Sequence, residues 1–193
     1  RIDFHVVTGV LGVERGRFGE AVPDHPDSRS AWQEIADWVR AAAMVSRLKR
    51  SRIGFLGHTY PGMLDLYSDF TQHRAQFGTH VEVLEMCDLA ARLPKPGERV
   101  VTAKLRETKL IFDISTDSPS DPLACAPAPQ HLQWACRVAV ALDRLTADFD
   151  LSGLAYYYRG LARNEYERLA AGMILGCSLL TARGIPCSGE GDL

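Results

Sequence analysis

The sequence predicts an α/β domain: a doubly wound, mostly parallel, Rossmann-like sheet of about five strands, preceded by a strand–helix arm. Three observations predict it. Short apolar runs bounded by Gly and Pro alternate with longer stretches of helical periodicity, the order that builds parallel sheets. One of those runs, Ile53-Gly54-Phe55-Leu56-Gly57, opens into a Gly-containing loop and then a helical stretch, as at the first strand of such a sheet. The stretch from Gly153 to Leu193 reads as strand, turn, capped helix and second strand, the crossover unit of a parallel sheet.

Taken in order, Ile2 to Thr8 alternates and is rich in β-branched residues, so a strand is expected there. Gly9 to Asp27 carries Gly and Pro with little periodicity and reads as a mobile connection. Ser30, with Gln33 three residues on, has the form of a capping box. Behind it Trp32, Ile35, Val39, Ala42, Ala43 and Leu48 keep helical spacing to about Arg50. Two Trp on one short helix, Trp32 and Trp38, suggest packing against another domain or subunit.

After the Ile53–Gly57 strand, Met63 to Phe77 is expected as one helix, Val81 to Met86 as the second strand and Asp88 to Leu93 as a short helix. Glu98 to Lys109 follows as a helix and Leu110 to Ile114 (LIFDI) as a third strand. Ser115 to Pro129 is a proline-rich loop, long enough to suggest function or mobility. Gln130 to Phe149 has one apolar face (Leu132, Ala135, Ala139, Leu142, Leu145), and Leu154 to Tyr158 is the fourth strand. Asn164 caps the last helix with Glu167 as partner, Gly184 closes it, Pro186 bars continuation, and Ile185 to Ser188 is the fifth strand. The domain division expected is an arm over 1–50, the end of a preceding domain, and a central α/β domain over 51–193.

At 193 residues, 46% hydrophobic and 24% charged, the chain can bury a core as a soluble domain. A net charge of -2 with both signs interspersed argues against a nucleic-acid groove or an anionic membrane as partner. The basic run Arg47-Leu48-Lys49-Arg50-Ser51-Arg52 ends a helix, where cations favour the dipole. No apolar run approaches a membrane span and no secretory leader is read. The first residue is Arg, so the chain is read as a piece of something longer. Five cysteines (Cys87, Cys125, Cys136, Cys177, Cys187) without a CxxC spacing fit free thiols in a reducing compartment, with Cys136 and Cys177 as small core residues.

The residues that could carry chemistry are few. Glu190 and Asp192 lie two apart on a bend with Gly189 and Gly191, at the sheet edge where open α/β sheets keep their ligands. Carboxylates on freely turning backbone suit a hard cation, and a carboxylate beside one can serve as general base. An exposed acidic turn is the competing reading, slightly favoured by spacing alone. His58 and Tyr60, in the loop after the first strand, could hydrogen-bond a polyhydroxylated ligand or simply satisfy neighbouring backbone. Asp65 and Asp69, one helical turn apart, fit a solvated face better than a ligand site. Tyr156, Tyr157 and Tyr158 read as core and sheet residues. The remaining histidines, His5, His25, His73, His80 and His131, have no metal-ligand spacing, and no Ser-His-Asp or Cys-His arrangement is readable. The loop lacks G-x-G-x-x-G and the P-loop Lys, so a nucleotide is not indicated.

Three segments together, HVVTG at His5–Gly9, RIGFLGHTYPGMLDLYSDF at Arg52–Phe70 and LLTARGIPCSGEGDL at Leu179–Leu193, resemble the L-arabinose isomerase family. Related L-fucose isomerases share the wider fold. The resemblance implies a cytoplasmic, homo-oligomeric aldose–ketose isomerase that works through an enediol with a divalent ion, usually Mn²⁺. This chain would be its central domain with the end of the N-terminal one, and inactive as an isolated fragment. Glu190 matches the glutamate of the GEGD motif, a metal ligand and acid/base candidate, and His58 and Met63 fall in the loop that faces the monosaccharide; with Tyr60 and Arg159 they are the expected substrate-binding residues. Two departures stand out. Arg159 occupies the position of the family's other catalytic glutamate, with Glu165 just beyond as a weak substitute, and the family's metal-binding histidines would lie downstream of Leu193. An Arg neither ligates a cation nor accepts a proton near neutrality, so a sugar-binding or regulatory homologue without proton transfer is the alternative.

Overall fold

The computed structural model describes residues 4–9, 26–117, 120–121, 125–159 and 164–193. The chain divides into two compact units, Arg1–Arg50 and Ser51–Leu193. In the first, helix α1 (Pro26–Leu48) begins four residues before the expected Ser30 cap. Proline is favoured in a first helical turn because its missing N–H would find no partner there and its φ is already helical. Gln33 is therefore inside the helix, and its amide donates to Asp37 at 2.9 Å instead of closing a capping box. The expected strand at Ile2–Thr8 is not formed over the described residues 4–8. Over residues 4–8 the backbone is irregular, and His5 bonds Glu34 at 2.6 Å and lies against Trp38. The Gly9–Asp27 connection falls almost wholly outside the described residues.

The second unit is a mixed α/β fold around a small, all-parallel sheet of four strands. Its elements are β1 (Arg52–Gly57), α2 (Phe70–Phe77), β2 (His80–Leu84), α3 (Met86–Ala90), α4 (Arg99–Ile111), α5 (Pro129–Asp148), β3 (Gly153–Tyr157), α6 (Glu165–Ala171), α7 (Met173–Ala182) and β4 (Cys187–Ser188). The strand order is β2-β1-β3-β4, so the chain leaves β1 first toward one edge and later toward the other. Register follows from side-chain alternation. Leu56 lies opposite Leu84 and Tyr156, and all three enter one core with Leu154. Against that face pack Met86 and Leu89 of α3, Val138, Leu142 and Leu145 of α5, Leu169 of α6, and Met173 and Leu180 of α7. Each fully buried Leu contributes roughly 1.5–3 kcal/mol. On the other face Phe70 of α2 covers Phe55 edge-on, while Val83 stays 58% exposed.

Three expectations for this unit are corrected. The run LIFDI is not a strand: α4 continues through Ile111, and the N–H of Phe112 still bonds Thr108. Val101, Lys104 and Thr108 form the buried stripe of α4, whereas Leu110 is 87% exposed. Extending an existing helix by a turn needs no new nucleus, whereas an extended run must first close a loop to a sheet edge before it gains ladder bonds. Among the described residues the sheet therefore has four strands.

The stretch Met63 to Phe77 is not one helix either. A single 3-10 turn at Leu64–Leu66 gives way to extended backbone at Tyr67, and α2 starts afresh at Phe70. The last helix breaks at Gly172 into α6 and α7. Glycine weakens a helix by about 1 kcal/mol, and here the Trp134 indole also intervenes. Its Nε1–H donates to the Arg168 carbonyl at 3.0 Å, and the N–H of Gly172 turns to Leu169. A side chain on Gly172 would lie 2.8 Å from that indole nitrogen, so the break and the packing of Trp134 belong together.

A polar cluster ties the helices. Lys104 of α4 lies 2.6 Å from Glu107 and 2.7 Å from Asp143 of α5, and Asp143 also bonds Arg183 after α7. Burial opposes the Lys104 charge, but the Asp143 and Glu107 carboxylates outweigh it and hold the ammonium above its ordinary value. Lys104→Met is expected to cost about 2 kcal/mol, less than for a fully buried pair because both carboxylates reach solvent. The sign of the pH dependence follows from the raised value. The lysine's contribution is complete below 10.5 and is lost as pH rises through the folded value above it. Urea unfolding should show the wild-type advantage constant at neutral pH and shrinking at strongly alkaline pH. Among the described residues no helix is long and apolar enough to cross a membrane.

Candidate functional site

The carboxyl ends of β1, β3 and β4 are joined by backbone. The N–H of His58 extends the β1–β3 ladder to the Tyr157 carbonyl at 2.9 Å. The N–H of Tyr60 reaches the Glu190 carbonyl at 2.8 Å, and that of Gly191 reaches the Tyr156 carbonyl at 3.0 Å. The loop after β1 and the bend after β4 are thus held to each other and to β3. This edge includes the junction of β1 with β3, where the winding direction reverses and open α/β sheets place their ligand crevice.

Two glycines permit the approach. Gly57 has φ +85°, and a Cβ there would lie 2.2 Å from the Tyr157 oxygen. Gly191 has φ +74°, and a Cβ there would lie 2.7 Å from the His58 oxygen. Glu190 itself has φ +62°. Positive φ at Glu190 and Gly191, with Asp192 N–H returning to the Gly189 carbonyl at 3.4 Å, is the signature of a type I′ turn. Glycine fills that geometry freely, whereas a glutamate there carries about 1 kcal/mol of strain. Its carboxylate is exposed and, among the described residues, makes no hydrogen bond or ion pair that would offset the cost.

His58 is held from both sides. Its Nδ1 is 2.8 Å from the Thr59 carbonyl, which assigns the proton to that nitrogen, and Nε2 accepts from the Arg159 backbone N–H at 3.5 Å. The ring also lies against Tyr157 and Tyr158, at centroid distances of 5.2 and 5.9 Å, and Tyr60 lies 5.0 Å from Tyr157. The half-buried histidine and tyrosines form an aromatic wall beside the turn. Polar rims on aromatic faces suit a ligand with both C–H and O–H surfaces.

The structure brings together His58, Tyr60, Glu190 and the backbone of Arg159. Met63 joins only through its N–H, which bonds the Tyr60 carbonyl at 3.4 Å across a Pro61-Gly62 turn, and its side chain is 40% exposed. Glu165 opens α6 behind the Asn164 cap, whose side chain accepts from Tyr166 N–H. The Tyr166 phenol is pushed up first by burial and then by the Glu165 charge, so Glu165 acts on Tyr166, and no bond links it to Glu190. Asp192 lines a hollow beside β3 and β4 whose walls do not include Glu190. Asp65 and Asp69 are divided between the 3-10 turn and the cap of α2. Sequence reasoning missed the ring contacts of Tyr157 and Tyr158 with His58. The signal available was the strand end itself, since residues just past a parallel strand face the crevice.

Asp69 has a structural task. Its carboxylate accepts from the Thr71 hydroxyl at 2.6 Å and from the N–H groups of Thr71 and Gln72. The Thr71 hydroxyl first, then the two amides, hold it below the usual carboxylate value of 3.8. A lowered value means that the cap is complete above 3.8 and is lost as pH falls through the folded value. Asp69→Ala is expected to speed amide exchange across α2 at neutral pH, and the difference from wild type should vanish in acid.

Among the described residues no group of three or more His, Cys, Asp or Glu side chains is placed to hold a metal ion. Among the described residues a hard divalent cation would find the exposed carboxylates of Glu190 and Asp192 on the bend, lining different surfaces, and both nitrogens of His58 already engaged. The described residues alone therefore do not form a complete cation site. Scanned against protein-family models and compared with curated proteins, the chain matches none of them.

Proposed function

We propose that this chain is the central, Rossmann-like doubly wound domain of a divalent-metal-dependent aldose–ketose isomerase of the L-arabinose/L-ribulose type. The observation that carries the reading is the 2.8 Å bond from Tyr60 N–H to the Glu190 carbonyl. It joins two segments quoted for the resemblance, Arg52–Phe70 and Leu179–Leu193, at one sheet edge with a strained glutamate between glycines. In the aldose-to-ketose direction a proton leaves C2 and is returned at C1, while the carbonyl moves from C1 to C2. Glu190 is the group of this chain for that proton, and His58 and Tyr60 are the sugar-binding rim. Bound Mn²⁺ would supply polarisation of the two substrate oxygens. Of its roughly six donors Glu190 is one, and the others come from parts of the intact, cytoplasmic, homo-oligomeric enzyme outside the described residues. The isolated chain is accordingly expected to be inactive.

Arg159 favours a second reading, a sugar-binding or regulatory protein of the same fold. It follows β3 where the resemblance calls for a carboxylate, and a guanidinium does not take up a proton near neutrality. One experiment separates the two. The intact protein carrying this chain is assayed with Mn²⁺ on L-arabinose and a panel of pentoses and hexoses, in deuterated water. Ketose formation with exchange of the C2 hydrogen supports the isomerase. Sugar binding without exchange supports the second reading, and neither outcome would sink both.

A further inference from the structure

Cys177 of α7 and Cys187 of β4 are ten residues apart in sequence and side by side in space. Cys187 and Tyr156 pack against the core cluster that contains Cys177. The Thr181 hydroxyl oxygen accepts the Cys187 N–H at 3.2 Å, and the Cys187 thiol donates to the Ile185 carbonyl at 3.6 Å. Tyr156, Cys177, Thr181 and Cys187 line one cavity of about 550 Å³, together with Ser178 and with Gly189 at the foot of the turn that carries Glu190.

The two thiols are unequal. Cys177 is 7% exposed, and the neighbouring Cys187 thiol and burial both push it up. Cys187 is partly exposed, and the neighbouring Cys177 thiol, helped by Thr181, holds it below the ordinary thiol value against its own burial. Low-lying, reachable thiols beside a second sulfur are those that oxidise reversibly. Tyr156, pushed up to about 12 chiefly by burial, stays a neutral donor.

We propose that Cys187 and Cys177 form a reversible dithiol–disulfide site that reacts with hydroperoxides entering this cavity. The Cys187 thiolate attacks one peroxide oxygen, an S–O bond forms, the O–O bond breaks, and the departing oxygen takes up a proton to leave as water or an alcohol. Cys177 sulfur then attacks the Cys187 sulfenic acid, an S–S bond forms, and water leaves with the Cys177 proton. Two thiols lose two electrons and one hydroperoxide gains them. The resulting bond ties α7 to β4 just before Gly189-Glu190, so oxidation is read out at the turn.

The test uses hydrogen peroxide on the chain, followed by alkylation and non-reducing tryptic mapping. Cleavage after Arg183 separates the two cysteines onto different peptides. The expected result is a Cys177–Cys187 cross-linked peptide, lost on treatment with dithiothreitol, formed while exposed Cys87 and Cys125 are still alkylated. Recovery of Cys177 and Cys187 both alkylated, or of Cys187 as sulfinic or sulfonic acid with Cys177 alkylated, overturns the proposal. In Cys177→Ala, Cys187 is expected to accumulate as a dimedone-reactive sulfenic acid, and absence of that adduct in the folded variant also overturns it. Should that variant not fold, the wild-type map decides alone.

Discussion

Alanine in place of Gly57 is expected to destabilise the chain by about 3–4 kcal/mol, one of the largest single effects in the molecule. Gly57 ends β1 with φ +85°, a conformation that already disfavours any Cβ. That Cβ would also lie 2.2 Å from the Tyr157 carbonyl oxygen, well inside contact distance. The oxygen cannot retreat cheaply. Gly57 and Tyr157 are paired in register, and the same oxygen accepts the His58 N–H at 2.9 Å, so the β1–β3 ladder would open at its end. Gly62 provides the control. Its φ is +100°, but a Cβ there meets nothing within 4 Å, so Gly62→Ala should cost only the conformational strain of about 1 kcal/mol. Denaturant midpoints of the two variants would check this, and equal losses would mean that the Tyr157 contact is unimportant.

In the proposed isomerase, Glu190→Gln is expected to lower turnover by about 10³-fold, the range for removing a positioned acid/base group. Stability should hardly move. Glu190 is bound to the fold through its backbone, the carbonyl accepting from Tyr60 N–H, while the carboxylate is exposed. The informative companion is Glu190→Gly. At φ +62° glycine removes strain, so this variant should be more stable than wild type by about 0.5–1 kcal/mol and equally inactive. A gain in stability with a loss of turnover marks a residue kept for function against its own backbone preference. Turnover retained in Glu190→Gln would remove Glu190 from the mechanism whatever the substrate. Loss of stability in Glu190→Gly would show that the turn is not strained.

Much of the fold was legible because its signals are local. The strands at Ile53, Val81 and Leu154 are short apolar runs between breakers, and each lies within two residues of the observed β1, β2 and β3. Asn164 declared itself as a cap by being a side chain that accepts its own helix's N–H, and it does so from Tyr166. Cys136 and Cys177 were readable as core residues from the apolar faces they share, and both are buried. The errors have one cause. LIFDI carries strand-like residues, but whether they extend or coil depends on whether a sheet edge is there to receive them, and α4 reached them first. Asp69 could stand in a helix or start one, and the choice fell to its bonds with Thr71 and Gln72.

The candidate site divides in the same way. Gly189-Glu190-Gly191-Asp192 is a bend by composition, and its position after a strand follows from the crossover that precedes it. Sequence patterning, a property of neighbours along the chain, determined the α/β class, all four strands of the sheet, the Asn164 cap and this bend. It could not determine that Tyr60 bonds Glu190, that the Trp134 indole cuts the last helix at Gly172, or that Cys177 and Cys187 line one hollow. Those contacts join residues up to 130 positions apart, and the parallel register of the strands together with the packing of the helices sets their distances. Local preferences are worth tenths of a kcal/mol to about one per residue, whereas closing the sheet and burying its face is worth many times that. Where the two disagree, the sheet decides.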